Sequence, residues 1–408
     1  MEASASAGAG ASGARAAAPP LRLLLLLLVL ASLSSSADDP AAAAAGPALA
    51  ATRARRAARD ASASASASAC GAFRGVRDFA ALVSTPRPSV DCAALGLRRR
   101  PSGRALLVDA FMVAYEPPLL LLLRILETVD SVDAILILES DYTFTGLPRN
   151  LSYPALEPCL ARWSDKIFFR VLRRSDVPPD FFLSYLPKDQ PMLVERFQRD
   201  AIAPEAQSVT HALRSAGANG SGAFLGVSDV DEFPRPDMLE AVASCEGYLE
   251  PVSLRPDSFM YSFRWLFNTG PERSHWGPVY VRFDEAAGKV VPWAGGEIMA
   301  PGEGRWAGST PAVARGLPQE DRFLHGAWHL SYFLNAEAIR LKLASFSHTE
   351  YAKDPRFSNL TMIRSSIDAG QSFFDGSYLD AHNCLAEDAD VPLAVKQNPV
   401  FRDFACPG

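Results

Sequence analysis

Hydrophobic and polar positions divide the 408-residue chain into stretches of different character. Residues 1–20 are Ala, Gly and Ser with Arg15 and end in Pro19-Pro20, a composition that buries no core. Residues 23–33 are an almost pure leucine run with Arg22 before it and serines after it, which predicts a signal anchor or signal peptide over 23–37. The run spans a bilayer only if flanking Ala and Ser join it, and Ser35 and Ala37 permit cleavage. Residues 38–103 are Ala/Ser-rich with no apolar stripe and read as a stem. Positive charge stays cytoplasmic, so 1–22 is expected as a cytoplasmic tail and 104–408 as a luminal catalytic domain.

Regular periodicity starts at about Arg104. Residues 105–113 form a buried-strand run. Residues 119–129 are a strongly apolar helix with Pro117 and Pro118 in its first turn, and 132–138 is a second apolar run ending at Glu139-Ser140-Asp141. Strand, helix and strand with short joints make a βαβ unit, hence parallel strands and an α/β class with a mostly parallel central sheet and helices on both faces. A short helix at 156–163, a strand at 167–172 and a helix over 189–214 broken at Pro204 follow. Further on come a helix at 236–245, strands at 252–254, 258–267 and 279–283, and a Gly- and Pro-rich excursion over 284–322. A strand at 326–333, an Asn335-capped helix to 346, and a helix over 360–369 stopped by Gly370 complete the pattern, and the tail from 371 has little periodicity.

Composition adds two constraints. The net charge of −6 is uneven: residues 1–70 carry +2 and residues 71–408 carry −8, and an acidic globular part argues against a nucleic-acid partner. Six cysteines, at 70, 92, 159, 245, 384 and 406, have no metal-site spacing and allow up to three disulfides in an oxidising compartment, with the pairing open. Asn150, Asn219 and Asn359 each open an N-glycosylation sequon.

The chemistry concentrates at Ala223-Phe224-Leu225-Gly226-Val227-Ser228-Asp229-Val230-Asp231-Glu232, an apolar strand that delivers three carboxylates to its carboxyl end. In an extended backbone Asp229 and Asp231 point to one side and could share a cation, and ligands of open α/β sheets bind beyond strand carboxyl ends. Two Asp at this spacing also occur in plain surface turns. A hard cation such as Mn²⁺ or Mg²⁺ there would bridge the diphosphate of a sugar nucleotide. Glu139 has the strand-end position of a site residue or of a capping acid. His329, beside Trp328 on an apolar strand, is a core histidine or a ligand. Among the aromatics, Trp265 and Trp276 are the better candidates to stack on sugar faces, and Trp306 is a further one. Phosphate-loop, dinucleotide and nucleophile-elbow motifs are absent from the sequence.

The segments Glu139-Ser140-Asp141-Tyr142-Thr143-Phe144-Thr145-Gly146-Leu147-Pro148, Ser228 to Arg235, Trp328-His329 and Phe374-Asp375-Gly376 resemble, in order and spacing, glycosyltransferase family 17. The resemblance implies a GT-A-like nucleotide-sugar-binding fold and a single-pass type II Golgi membrane protein. It further implies inverting transfer of N-acetylglucosamine from UDP-N-acetylglucosamine, with Mn²⁺, to a mannose of an N-glycan in a bisecting β-1,4 linkage. Asp229 and Asp231 match the family's metal and diphosphate acids, with Glu116 on the cofactor side. Glu232, Glu139 and His329 are the catalytic candidates, and Glu232 and Glu139 stand unranked as general base. Glu116-Pro117-Pro118-Leu119 stands where the family usually has an acidic pair, and Leu330 where animal members have Cys. Two other functions fit the same residues: transfer with a different sugar donor or acceptor, and carbohydrate binding without catalysis.

Overall fold

The computed structural model describes residues 81–177, 190–267, 277–290, 321–348, 351 and 354–407. The tail, the leucine run, the stem up to residue 80, most of the 284–322 excursion, Trp276, Trp306 and Cys70 lie outside the described residues.

The central strands are β1 (Leu106–Val113), β2 (Ala134–Ser140), β3 (Ile167–Leu172) and β4 (Ala223–Asp229), laid out in the order β4-β1-β2-β3 and all parallel. The βαβ expectation therefore holds at the heart of the sheet. Beyond β4 the expectation of a mostly parallel sheet gives way. Strand Val279–Asp284 pairs antiparallel with β4 and carries two short antiparallel neighbours, Val252–Ser253 and Lys289–Val290, so the seven-stranded sheet is mixed. Local patterning gives strand propensity but not the direction in which a distant strand returns.

Alternation along β1 explains why both faces are covered. Leu107, Phe111 and Val113 face helix α1 (Pro118–Thr128), in which Leu120, Leu121, Leu122, Leu123 and Leu126 are buried. Leu106, Val108, Ala110 and Met112 face helix Ile202–Ser215. That helix follows α2 (Gln190–Asp200), and the break between them falls at Ala201, with Pro204 in the first turn of the second helix, where its missing N–H is harmless.

A second, five-stranded sheet contains β5 (Glu232–Pro234), β6 (Pro256–Met260) and β7 (Ala327–Ser331). The last two are parallel to each other, and β5 is antiparallel to β7. Helix α3 (Ala336–Ser345) starts at Asn335, whose side chain accepts from the Ala338 N–H at 2.9 Å. Two expectations about the ends are corrected. Ordered packing starts well before Arg104, since Leu82, Cys92 and Leu97 are buried and Cys92 is bonded to Cys245. The tail after 371 is stapled by Cys384–Cys406 and ends in helices Leu393–Gln397 and Pro399–Ala405. Cross-links and long-range docking, not periodicity, hold both ends.

Candidate active site

The acid cluster sits where the chain passes from one sheet to the other. β4 ends at Asp229, Val230 and Asp231 turn, and β5 begins at Glu232. Asp229 and Asp231 therefore do not share a strand face as alternation predicts. The turn brings them together instead, and both line a cavity of about 490 Å³ with Glu232, Glu116, His329 and Lys342. The Val230 N–H donates to the Met112 carbonyl at 3.0 Å and the Leu330 N–H to the Asp231 carbonyl at 2.8 Å, tying the turn to both sheets.

Each carboxylate has a definite partner. Asp229 receives Arg199 of α2 on both oxygens, at 2.9 and 3.1 Å, and Arg199 is also held by Glu195 one helical turn earlier at 2.8 Å. Asp231 lies 3.1 Å from Lys342 of α3, which also reaches Glu116 at 2.8 Å. Glu116 folds back on its own loop, accepting the N–H groups of Ala114 and Tyr115. Glu232 accepts the Asp229 N–H at 3.0 Å and stands opposite His329 across the β5–β7 pair. His329 and Ser331 are 3.2 Å apart through Nε2 and the hydroxyl.

Five acids, Glu116, Glu195, Asp229, Asp231 and Glu232, thus face Arg199 and Lys342 around one cavity. Burial pushes the Asp231 carboxyl up to about 6, with Lys342 opposing and Glu116 and Asp229 adding to the rise. Burial, followed by the Asp229 charge, holds Glu232 well above the usual carboxylate range. For Glu116 burial acts upward, yet Lys342 wins and keeps it low. The surplus is negative, the condition a bound cation relieves.

Beneath the turn lies a second charged group that sequence reasoning missed. Arg124, in the middle of the leucine helix and fully buried, pairs with Asp109 of β1 at 2.8 Å. It also donates to the Ser228 hydroxyl at 3.1 Å, the Asp229 carbonyl at 3.4 Å and the Glu232 carbonyl. Its guanidinium lies 4.6 Å from the Phe111 ring centroid and 5.6 Å from that of Phe233. The signal was legible: an Arg inside Leu119–Leu126 and an Asp inside an apolar strand are two anomalies that satisfy each other. Arg199 and Lys342 gave no such signal, because cations on amphipathic helices usually face water.

Glu139 is not brought to the cavity. Its carboxylate accepts the Ser152 N–H at 2.9 and 3.0 Å and the Tyr153 N–H at 3.0 Å, and Arg149 stands 3.2 Å away, so it caps the short helix Tyr153–Leu156. Trp265 lines a separate cavity of about 680 Å³ with Arg264 and Asn335.

The family model for glycosyltransferase family 17 matches residues 83–288, half of the chain, and takes in Glu116, Arg124, Arg199 and the whole acid turn. The chain belongs to glycosyltransferase family 17. No curated protein and no solved structure matches it. Membership makes this family 17 protein a glycosyltransferase. His329 and Lys342 lie beyond the matched span, yet the fold carries both to the acid turn.

Proposed function

We propose that this glycosyltransferase moves N-acetylglucosamine from UDP-N-acetylglucosamine to a mannose of an N-glycan, inverting the anomeric carbon to form the bisecting β-1,4 linkage. The carrying observation is the acid turn at the carboxyl end of a parallel strand, where five carboxylates meet two cations in one cavity. Four parallel strands leading to that turn support a GT-A-like architecture despite the antiparallel edge.

The donor set fits a divalent cation, Mn²⁺ or Mg²⁺. Among the described residues no three His, Cys, Asp or Glu side chains are grouped to hold a metal by themselves. The fit is the kind in which one or two carboxylates share the ion with substrate phosphates and water. Asp229, whose side chain is 41% exposed, and Asp231 would hold it, with Glu116 steadying Asp231 through Lys342. When bound, the ion supplies Lewis-acid stabilisation of the departing diphosphate. Arg199 and Lys342 would add fixed positive charge beside Asp229 and Asp231.

The acceptor hydroxyl needs a base. Glu232 lines the cavity and burial raises its proton affinity, whereas Glu139 is saturated by backbone donors, which supports Glu232 as the base. His329, opposite Glu232, would orient the acceptor. An anchored type II protein in the Golgi lumen completes the proposal, supported by the Cys92–Cys245 and Cys384–Cys406 disulfides, which belong to an oxidising compartment.

The decisive experiment incubates the full-length protein with Mn²⁺, a panel of UDP- and GDP-sugars and defined N-glycans, and weighs the products by mass spectrometry. Gain of one N-acetylhexosamine on the core mannose is expected. Consumption of another donor, or glycan binding that ignores both metal and nucleotide, would replace this function by one of its rivals.

A further inference from the structure

The strand Val279–Asp284 reaches the acid turn through the sheet. Tyr280 faces Gly226 of β4 across the antiparallel pair, and a Cβ at Gly226 would stand 2.3 Å from the Tyr280 ring. Only glycine leaves room for the ring to lie over β4. Having crossed, the Tyr280 hydroxyl donates to Asp109 at 2.9 Å. The other Asp109 oxygen receives Arg124, and Arg124 holds the carbonyls of Asp229 and Glu232, the two ends of the acid turn. Asp109, Arg124 and Tyr280 are all fully buried, and none of them lines the acid cavity.

A charge pair so deeply buried is a poor source of stability, because desolvation offsets most of its attraction. What it does supply is geometry: a forked donor fixed at one end by a carboxylate presents rigid N–H groups at the other. We propose that Gly226, Tyr280, Asp109 and Arg124 form a positioning relay that sets the distance between the Asp229 and Glu232 ends of the turn. The relay rests on the assignment of that turn as the donor site. Its residues touch no substrate and act through the turn.

The test compares two buried hydroxyl deletions in the full-length protein, Tyr280→Phe and Tyr248→Phe. Tyr248 donates to the Val242 carbonyl and accepts from Arg100, away from the acid turn, so its loss is of similar structural kind. Two readouts are taken: hydrogen exchange of the 228–233 segment by mass spectrometry, and kcat/KM for transfer from UDP-N-acetylglucosamine. Supporting groups around a reactive centre typically matter by 10–100-fold. Tyr280→Phe is therefore expected to lower kcat/KM by about 10–100-fold and to speed exchange at Asp229 and Val230, while Tyr248→Phe moves neither. Gly226→Ala, which displaces the ring, should reproduce the Tyr280→Phe pattern. Wild-type exchange and turnover in Tyr280→Phe, or equal losses in Tyr248→Phe, overturns the relay. If the wild-type protein consumes no such donor, the proposed function fails, and the exchange comparison still decides the relay.

Discussion

Glu139 and Asp229 end neighbouring strands on either side of β1, paired with Val113 and Met112 respectively, so they reach the same edge of the sheet within one residue of each other. Their surroundings divide them. Glu139 is closed off, its oxygens taken by two backbone N–H groups and Arg149. The Asp229 carboxylate is paired, among the described residues, with Arg199 and is open to the cavity. Position at a strand end thus marks where a site can form, and the donors that saturate a carboxylate decide whether it remains available.

The largest effect expected from this contrast is on stability. Glu139→Ala leaves Arg149 and the Ser152 N–H without their acceptor and should destabilise the fold by about 3–5 kcal/mol in urea unfolding. Turnover per folded molecule should stay of the same order, and a loss of turnover with stability intact would move Glu139 back into the site. Asp229→Ala should do the reverse, lowering transfer by about 10²–10³-fold with an unchanged melting temperature. Wild-type turnover in that variant would strip Asp229 of its role. The smallest effect concerns Glu127 of α1. Burial pushes its carboxyl up to about 7 from an ordinary 4.5, although Thr85, Leu393 and Ala394 all donate to it. The folded state then keeps a proton that the unfolded chain releases, so the contribution of Glu127 to stability should be fully present below pH 4.5 and be lost as pH rises through about 7. The fall is at most about 3 kcal/mol. Glu127→Gln should flatten that part of a pH–stability profile, and an unchanged slope would show that the three donors dominate.

Much of this was legible in the residues. The βαβ unit, the prolines opening α1, the Asn335 cap and the acid cluster could all be read from local pattern, because each is a short-range consequence of steric or hydrogen-bonding rules. The return direction of Val279–Asp284, the turn at Val230 that removes Asp231 from β4, and the arrival of Lys342 could not. Those depend on which distant segments meet, and no window of sequence holds that information. Glu139 shows the middle case: its place at the edge was readable, but its capping partners only appear once residues 149–153 fold back over it.

The Cys92–Cys245 bond closes a covalent ring across a sequence separation of 153. Asp109, Arg124, Arg199 and the whole acid turn lie inside that ring, whereas Tyr280, His329 and Lys342 join from outside it. A loop of that length removes about 5 kcal/mol of chain entropy from the unfolded state in the simple closure model. Oxidation therefore confines the part of the molecule that carries the acid turn on its own, leaving the later segments to dock onto a frame whose topology is already locked.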